Sequence, residues 1–291
     1  VASEQKPAAR DPGQPGTGGL VELVADLDRP GSWMLLVDGI SQSHVDLEDP
    51  RHLDMEYMRR LGHLIDLAAP AGAPLRALHL GAGGLTLARY VAATRPGSPQ
   101  LAVEADAKVA DLVRRRLPVH PRGRAQRGPG RIRVRLGDAR AVLERLRAGS
   151  FDVVIADVFA GARTAAHLTT VEFTRAAARV LAAAGVYAVN VADGPPLAHA
   201  RGRVAAVRAV FPYVCVMAEP AVLRGRRFGN LVVAGARVQL PLDGLARRTA
   251  ADPFPARLMA GTSLDRFTAG AKPIVDAHAG PSPPMPPEVF A

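Results

Sequence analysis

The chain of 291 residues has a single cysteine, Cys215. That excludes an intramolecular disulfide and any zinc or iron–sulfur site built from several cysteines. Cys215 lies in an apolar run and reads as buried and inert. Aromatic residues are scarce at 4%, so the 48% hydrophobic content is mostly Ala, Val and Leu. That content still builds a full core and excludes disorder of the body of the chain. No apolar run reaches the roughly 18–20 residues of a membrane-crossing helix. The best stretch, residues 180–192, is short and contains Gly185 and Asn190. Residues 1–19 are polar and rich in Pro and Gly, without the apolar stretch of a signal peptide. The expectation is a cytoplasmic protein without membrane attachment and with a disordered leader over 1–19.

Lysine is nearly missing as well. Of 37 basic residues only Lys6, Lys108 and Lys272 are lysine, and the formal net charge is +10. An Arg excess beside abundant Ala, Gly and Pro reads as the imprint of a GC-rich genome. The densest cluster, from Arg114 to Arg135, has no interleaved aromatics on which bases could stack. Gly and Pro around Arg122, Arg124 and Arg127 prevent a regular recognition helix there. A solvated face and no specific nucleic-acid binding are expected.

What is present is alternation. Strand patterns at residues 33–37, 43–45, 75–80, 101–104, 132–136, 151–156, 185–191, 213–217 and 230–234 are interleaved with helical periodicity at 52–67, 84–94, 106–117, 170–181 and 198–210. This order predicts an α/β fold, a doubly wound and mostly parallel sheet, with a small β-segment in front of it. The implied divisions are a leader over 1–19, a β-segment and helix over 20–70, the main α/β domain over 71–240, and a Pro-rich tail over 241–291. Periodicity fades after Leu240, so that tail is expected to be extended or loosely docked.

In such sheets ligands bind beyond the carboxyl ends of the strands. Four successive strand ends carry Gly81-Ala82-Gly83-Gly84, Glu104, Gly137-Asp138 and Asp157. Glycines let backbone approach a ligand closely. An acid after the second strand can accept both hydroxyls of a ribose. An acid after the third can accept from an exocyclic amine. Each acid alone serves equally well as a helix cap; the ordered set points to an adenosine-type ligand. Asn190 and Asp193 end another strand and either face a second substrate or form a turn. His79 reads as a packed core residue, and His167, ten residues past Asp157, as a minor acid/base candidate. No metal site is expected.

The set resembles the class I S-adenosylmethionine-dependent transferase fold and, more narrowly, the spermidine synthase (aminopropyltransferase) family. Three segments of the region between Trp33 and Ala234 carry the likeness. The segment Leu36-Val37-Asp38-Gly39-Ile40-Ser41-Gln42 is similar to a strand–turn that ends in a substrate-contacting Gln. Leu80-Gly81-Ala82-Gly83-Gly84, Val103-Glu104-Ala105-Asp106 and Gly137-Asp138-Ala139 look like the nucleoside-binding series. Phe151-Asp152-Val153-Val154-Ile155-Ala156-Asp157 is similar to the strand that delivers the catalytic aspartate.

The resemblance implies that Gln42, Gly81, Gly83, Glu104, Asp138 and Ala139 hold the sulfonium nucleoside, with Asp138 and Ala139 at the adenine. It implies that Asp157 binds the attacking amine and takes its proton, and that Tyr57 lines the amine channel. The co-substrate would be decarboxylated S-adenosylmethionine or S-adenosylmethionine, with no tightly bound cofactor; the partners would be a small-molecule amine and a second copy in a homodimer. The chain departs from the family at Gly84 and Ala160, where acids are usual, and at Met58-Arg59, where His/Gln-Glu is usual. The nucleoside half is thus retained and the polyamine half altered. Aminopropyl transfer, methyl transfer and a non-catalytic nucleoside-binding module all remain open on the residues alone.

Overall fold

The computed structural model describes residues 19–119, 130–159 and 163–286. Three short strands open it: β1 (Val21–Ala25), β2 (Ser32–Val37) and β3 (Ile40–Asp46), paired antiparallel in that order. Asp38 and Gly39 turn β2 into β3 with positive φ at both residues, the geometry a tight hairpin requires. Helix α1 (Glu56–Leu67) follows.

Strand and helix then alternate: β4 (Ala77–Leu80), α2 (Thr86–Thr94), β5 (Gln100–Glu104), α3 (Ala107–Arg116), β6 (Ile132–Leu136), α4 (Ala139–Arg145), β7 (Phe151–Ala156), α5 (Val171–Val180), β8 (Leu181–Asp193), α6 (Ala198–Arg208), β9 (Tyr213–Ala218), α7 (Pro220–Leu223), β10 (Gly229–Ala236), α8 (Leu242–Ala250), β11 (Arg257–Met259) and α9 (Gly261–Thr268). The strands form one sheet in the order β11-β9-β10-β8-β7-β4-β5-β6. Its half from β6 to β8 is parallel, and β10, β9 and β11 are antiparallel. The order reverses between β4 and β7, and ligand sites open at such a point.

Side-chain alternation separates two cores. On one face Leu78, Leu80, Val154 and Ala156 pack with residues of α4, α5, α6 and α9. On the other, Ala77, Val153 and Ile155 pack with α1, α2 and α8. The small sheet has its own cluster, in which Leu35 and Val45 meet Val109 and Val113 of α3. Strands buried on both faces explain the continuous apolar runs at 153–156 and 186–189.

The segment after Leu240 is not loose. Helix α8 buries Leu245, β11 adds an edge strand to β9, and α9 buries Leu264 and Phe267 in the core. So few apolar side chains serve these elements that no helical period stands out of the sequence. Among the described residues no helix is long and apolar enough to cross a membrane. Arg122, Arg124, Arg127 and Ala160 lie outside the described residues, as does the leader up to residue 18.

Candidate active site

A cavity of about 540 Å³ opens at the carboxyl ends of β4, β5, β6 and β7 and is roofed by the small sheet. Gln42, Tyr57, Gly81, Gly83, Glu104, Asp138, Ala139, Asp157 and Asn190 all line it. Asp193 does not. It is 3% exposed, and its two oxygens accept the amides of Gly194 and Ala200, at 2.8 Å each. The turn reading of Asp193 is therefore the one the structure bears, and its side chain holds the start of α6.

The glycine turn is built by contact. Gly81 has φ +85, and a Cβ there would lie 1.9 Å from the Asp157 carbonyl oxygen. Only glycine lets the ends of β4 and β7 meet this closely. At Gly84 a Cβ would meet Val45 Cγ2 at 2.4 Å, and its amide donates to Ser43 Oγ at 3.1 Å. The small sheet thus fills the space that an acidic side chain at position 84 would need. Ser43 had no signal in the sequence beyond its place in a strand.

Glu104 ties the turn to the next strand end. Its Oε2 accepts the amides of Ala82 at 3.2 Å and Gly83 at 3.0 Å, and its Oε1 accepts that of Asp106 at 3.0 Å. A carboxylate has about four lone-pair sites, so one remains for a ligand hydroxyl. Asp106 itself caps α3 through the amides of Lys108 and Val109.

Asp138 caps α4 through the amide of Ala141 at 2.9 Å and pairs with His167 Nε2 at 2.7 Å. Burial works to raise its pKa, but these partners outweigh it and hold the carboxyl below its ordinary value. His167, an acid/base candidate on sequence, is engaged by Asp138 rather than by Asp157.

Asp157 sits where β7 ends. Tyr57 Oη donates to its Oδ2 at 3.2 Å, and Asn190 Nδ2 donates to its Oδ1 at 3.0 Å. Burial raises its pKa to about 6, with the two hydrogen bonds pulling the other way. Burial and the neighbouring Asp157 charge also push the Tyr57 phenol well up, so it stays a donor. Two polar residues that the sequence reading missed complete this end. Glu56 lines the cavity one residue before Tyr57, and Asn230 Nδ2 donates to its Oε1 at 3.1 Å. Asn230 is the one polar side chain of the otherwise apolar β10, and that interruption was the available signal. His79 also borders the cavity; burial lowers its pKa to about 4, and it bonds Gln100. Burial pushes the Cys215 thiol up to about 12.

The charge of the wall is one-sided. Asp38, Glu56, Glu104, Asp106, Asp138 and Asp157 line the cavity, and no Arg or Lys does so among the described residues. A chain with net charge +10 has therefore placed six acids and, among its described residues, no Arg or Lys around this space.

The family model for the spermine/spermidine synthase domain matches residues 55–217. The chain belongs to this family. Membership makes it a transferase. A probable spermidine synthase from Corynebacterium glutamicum is 33% identical, with 93% of this chain and 97% of that one covered and a TM-score of 0.81. A spermidine synthase in complex with the transition-state analogue AdoDATO is 18% identical over 79% of this chain and 75% of that one, with a TM-score of 0.58. Human methyltransferase-like protein 13 in complex with SAH is 19% identical over 77% of this chain and 97% of that one, with a TM-score of 0.50. The last two share the fold. Among curated proteins none matches this chain. Within the spermine/spermidine synthase family, the three-stranded sheet, the glycine turn and Asp157 of this chain stand together around one cavity.

Proposed function

We propose that the protein transfers an aminopropyl group from decarboxylated S-adenosylmethionine to an amine acceptor. A cavity wall with six acids and no Arg or Lys among the described residues carries this reading. S-adenosylmethionine brings a carboxylate, which six acids and no Arg or Lys would repel. The decarboxylated donor keeps the same ammonium and sulfonium and lacks only that carboxylate. A repulsion between like unit charges near a protein surface costs about 4 kcal/mol at 4 Å, and only the donor with the carboxylate bears it.

In the step itself the acceptor nitrogen attacks the aminopropyl carbon bonded to sulfur. A C–N bond forms, the C–S bond breaks, and its electron pair leaves on the sulfur of methylthioadenosine. The amine must arrive neutral, while free aliphatic amines are mostly protonated at neutral pH. Asp157 anchors the amine and takes the proton, and Tyr57 and Asn190 keep its carboxylate aimed. Proximity does the rest, because the sulfonium is already a leaving group. Glu104 holds a sugar hydroxyl, and Asp138 with Ala139 borders the adenine.

Glu56 supplies a second carboxylate on the acceptor side, with Asn230 orienting it. Glu56→Gln is expected to raise the acceptor KM about fivefold, roughly 1 kcal/mol, with the donor KM unchanged. Steady-state kinetics with each substrate varied in turn checks this.

Thermal unfolding tests the donor. Ligand at 100 times its Kd should add about 2.7 kcal/mol of stability. Methylthioadenosine and the decarboxylated donor are expected to raise Tm, the latter at concentrations at least tenfold below those S-adenosylmethionine needs. A shift with S-adenosylmethionine and none with its decarboxylated form would replace this reading with methyl transfer.

A further inference from the structure

The Pro-rich C-terminal segment is fastened at several points between residues 274 and 282 and reaches the cavity at Met285. The amide of Val171 donates to the carbonyl of Ile274 at 2.8 Å. On α6 a Cβ at Gly202 would stand 3.0 Å from Ile274 Cγ1, so the segment crosses that helix at a glycine. Arg140 forks onto both oxygens of Asp276 at 2.8 and 2.7 Å, and the Asp276 amide donates to Glu172. Ser282, 2% exposed, then exchanges two hydrogen bonds with Thr164. Its amide donates to the Thr164 carbonyl at 3.0 Å, and the Thr164 amide donates to its Oγ at 2.8 Å. Three residues on, Met285 lines the cavity.

We propose that Met285 is part of the nucleoside-binding wall and that the strap over residues 272–285 holds it there. The fixed points identify which end it closes. Arg140 follows Ala139 at the start of α4, and Thr164 precedes Ala165 and His167, which line the cavity on the Asp138 side. The acceptor-side residues Glu56, Tyr57 and Asn230 come from α1 and β10, and α1 packs on the opposite face of the sheet from α4 and α5. An unbranched thioether fills an irregular gap and packs well at the edge of an aromatic ring such as a purine. Pro281, Pro283, Pro284 and Pro286 keep the segment extended, which lowers the entropy lost on fastening it. Met285 and Ser282 therefore act as donor-binding and positioning residues that lie far from the strand-end motifs in the chain.

This inference rests on the nucleoside reading above, and titration calorimetry with methylthioadenosine separates the two. Met285→Ala should weaken binding about fivefold, the effect of losing roughly 1 kcal/mol of apolar contact. Ser282→Pro removes both the amide and the hydroxyl that hold the strap, and should weaken it at least as much. In turnover both variants should raise the donor KM while leaving kcat and the acceptor KM unchanged. Parent-like affinity in both variants, or a rise in acceptor KM alone, would overturn the role of the strap while the nucleoside site stands. Failure of the parent protein to bind methylthioadenosine would overturn the nucleoside reading and the strap with it.

Discussion

Replacing Asp157 by Asn is expected to lower turnover by roughly 10²–10⁴, the usual contribution of a positioned general base, while donor affinity stays within a few-fold. Asparagine keeps the shape of the carboxylate and both neighbours, Tyr57 and Asn190, but cannot hold a proton from the amine. The pH profile separates this from a loss of structure. With a pKa of about 6, the parent should lose activity as pH falls through that value, because a protonated Asp157 accepts nothing. Asp157→Asn should lack that acidic limb. Stability should move the other way. The unfolded chain releases this proton near the ordinary 3.8 and the native chain near 6, so the native state binds the extra proton in between. Native stability attributable to Asp157 therefore falls as pH rises through this window, and the cost is complete above about 6. The Asn variant should melt at or above the parent temperature at pH 8, and the difference should close toward pH 4. A variant that melts well below the parent at pH 8 would mean that Asp157 holds the fold.

Glu104→Ala is expected to weaken methylthioadenosine binding by about 10- to 150-fold. That range is the loss of one charge-assisted hydrogen bond to the sugar, worth about 1.5–3 kcal/mol. The turn is disturbed as well, because the amides of Ala82, Gly83 and Asp106 lose their common acceptor. Titration calorimetry gives the affinity. Hydrogen exchange at Ala82 and Gly83 should quicken in the variant with or without ligand, and unchanged exchange would detach Glu104 from the turn.

Much of the cavity lining is legible in the sequence, because it uses backbone geometry that only certain residues permit. Gly81 must be glycine where β4 meets β7, and Asp106 and Asp138 must be short acids where helices begin. Such positions leave a mark in a single sequence. Asp193 left the same mark for a purely structural reason, as an acid at a strand end that turns inward to hold α6. Glu56, Asn230, Ser43 and Met285 left little. Each owes its place in the cavity to the packing of an element far away in the chain, α1, β10, the small sheet or the strap. The departure at Gly84 has its cause in Val45, 39 residues earlier, and no local pattern records that contact. The elements after Leu240 were hidden likewise, since α8 and α9 each bury only two or three side chains.

The central claim is that an acidic cavity and Asp157 move an aminopropyl group onto an amine. Mass spectrometry of the products tests it most directly, with the parent protein given a panel of mono- and diamines and, in separate reactions, each donor. The account predicts an amine extended by one aminopropyl group together with methylthioadenosine, formed only from decarboxylated S-adenosylmethionine and almost lost in Asp157→Asn. A methylated product formed from S-adenosylmethionine, or no amine consumed with either donor, would contradict it.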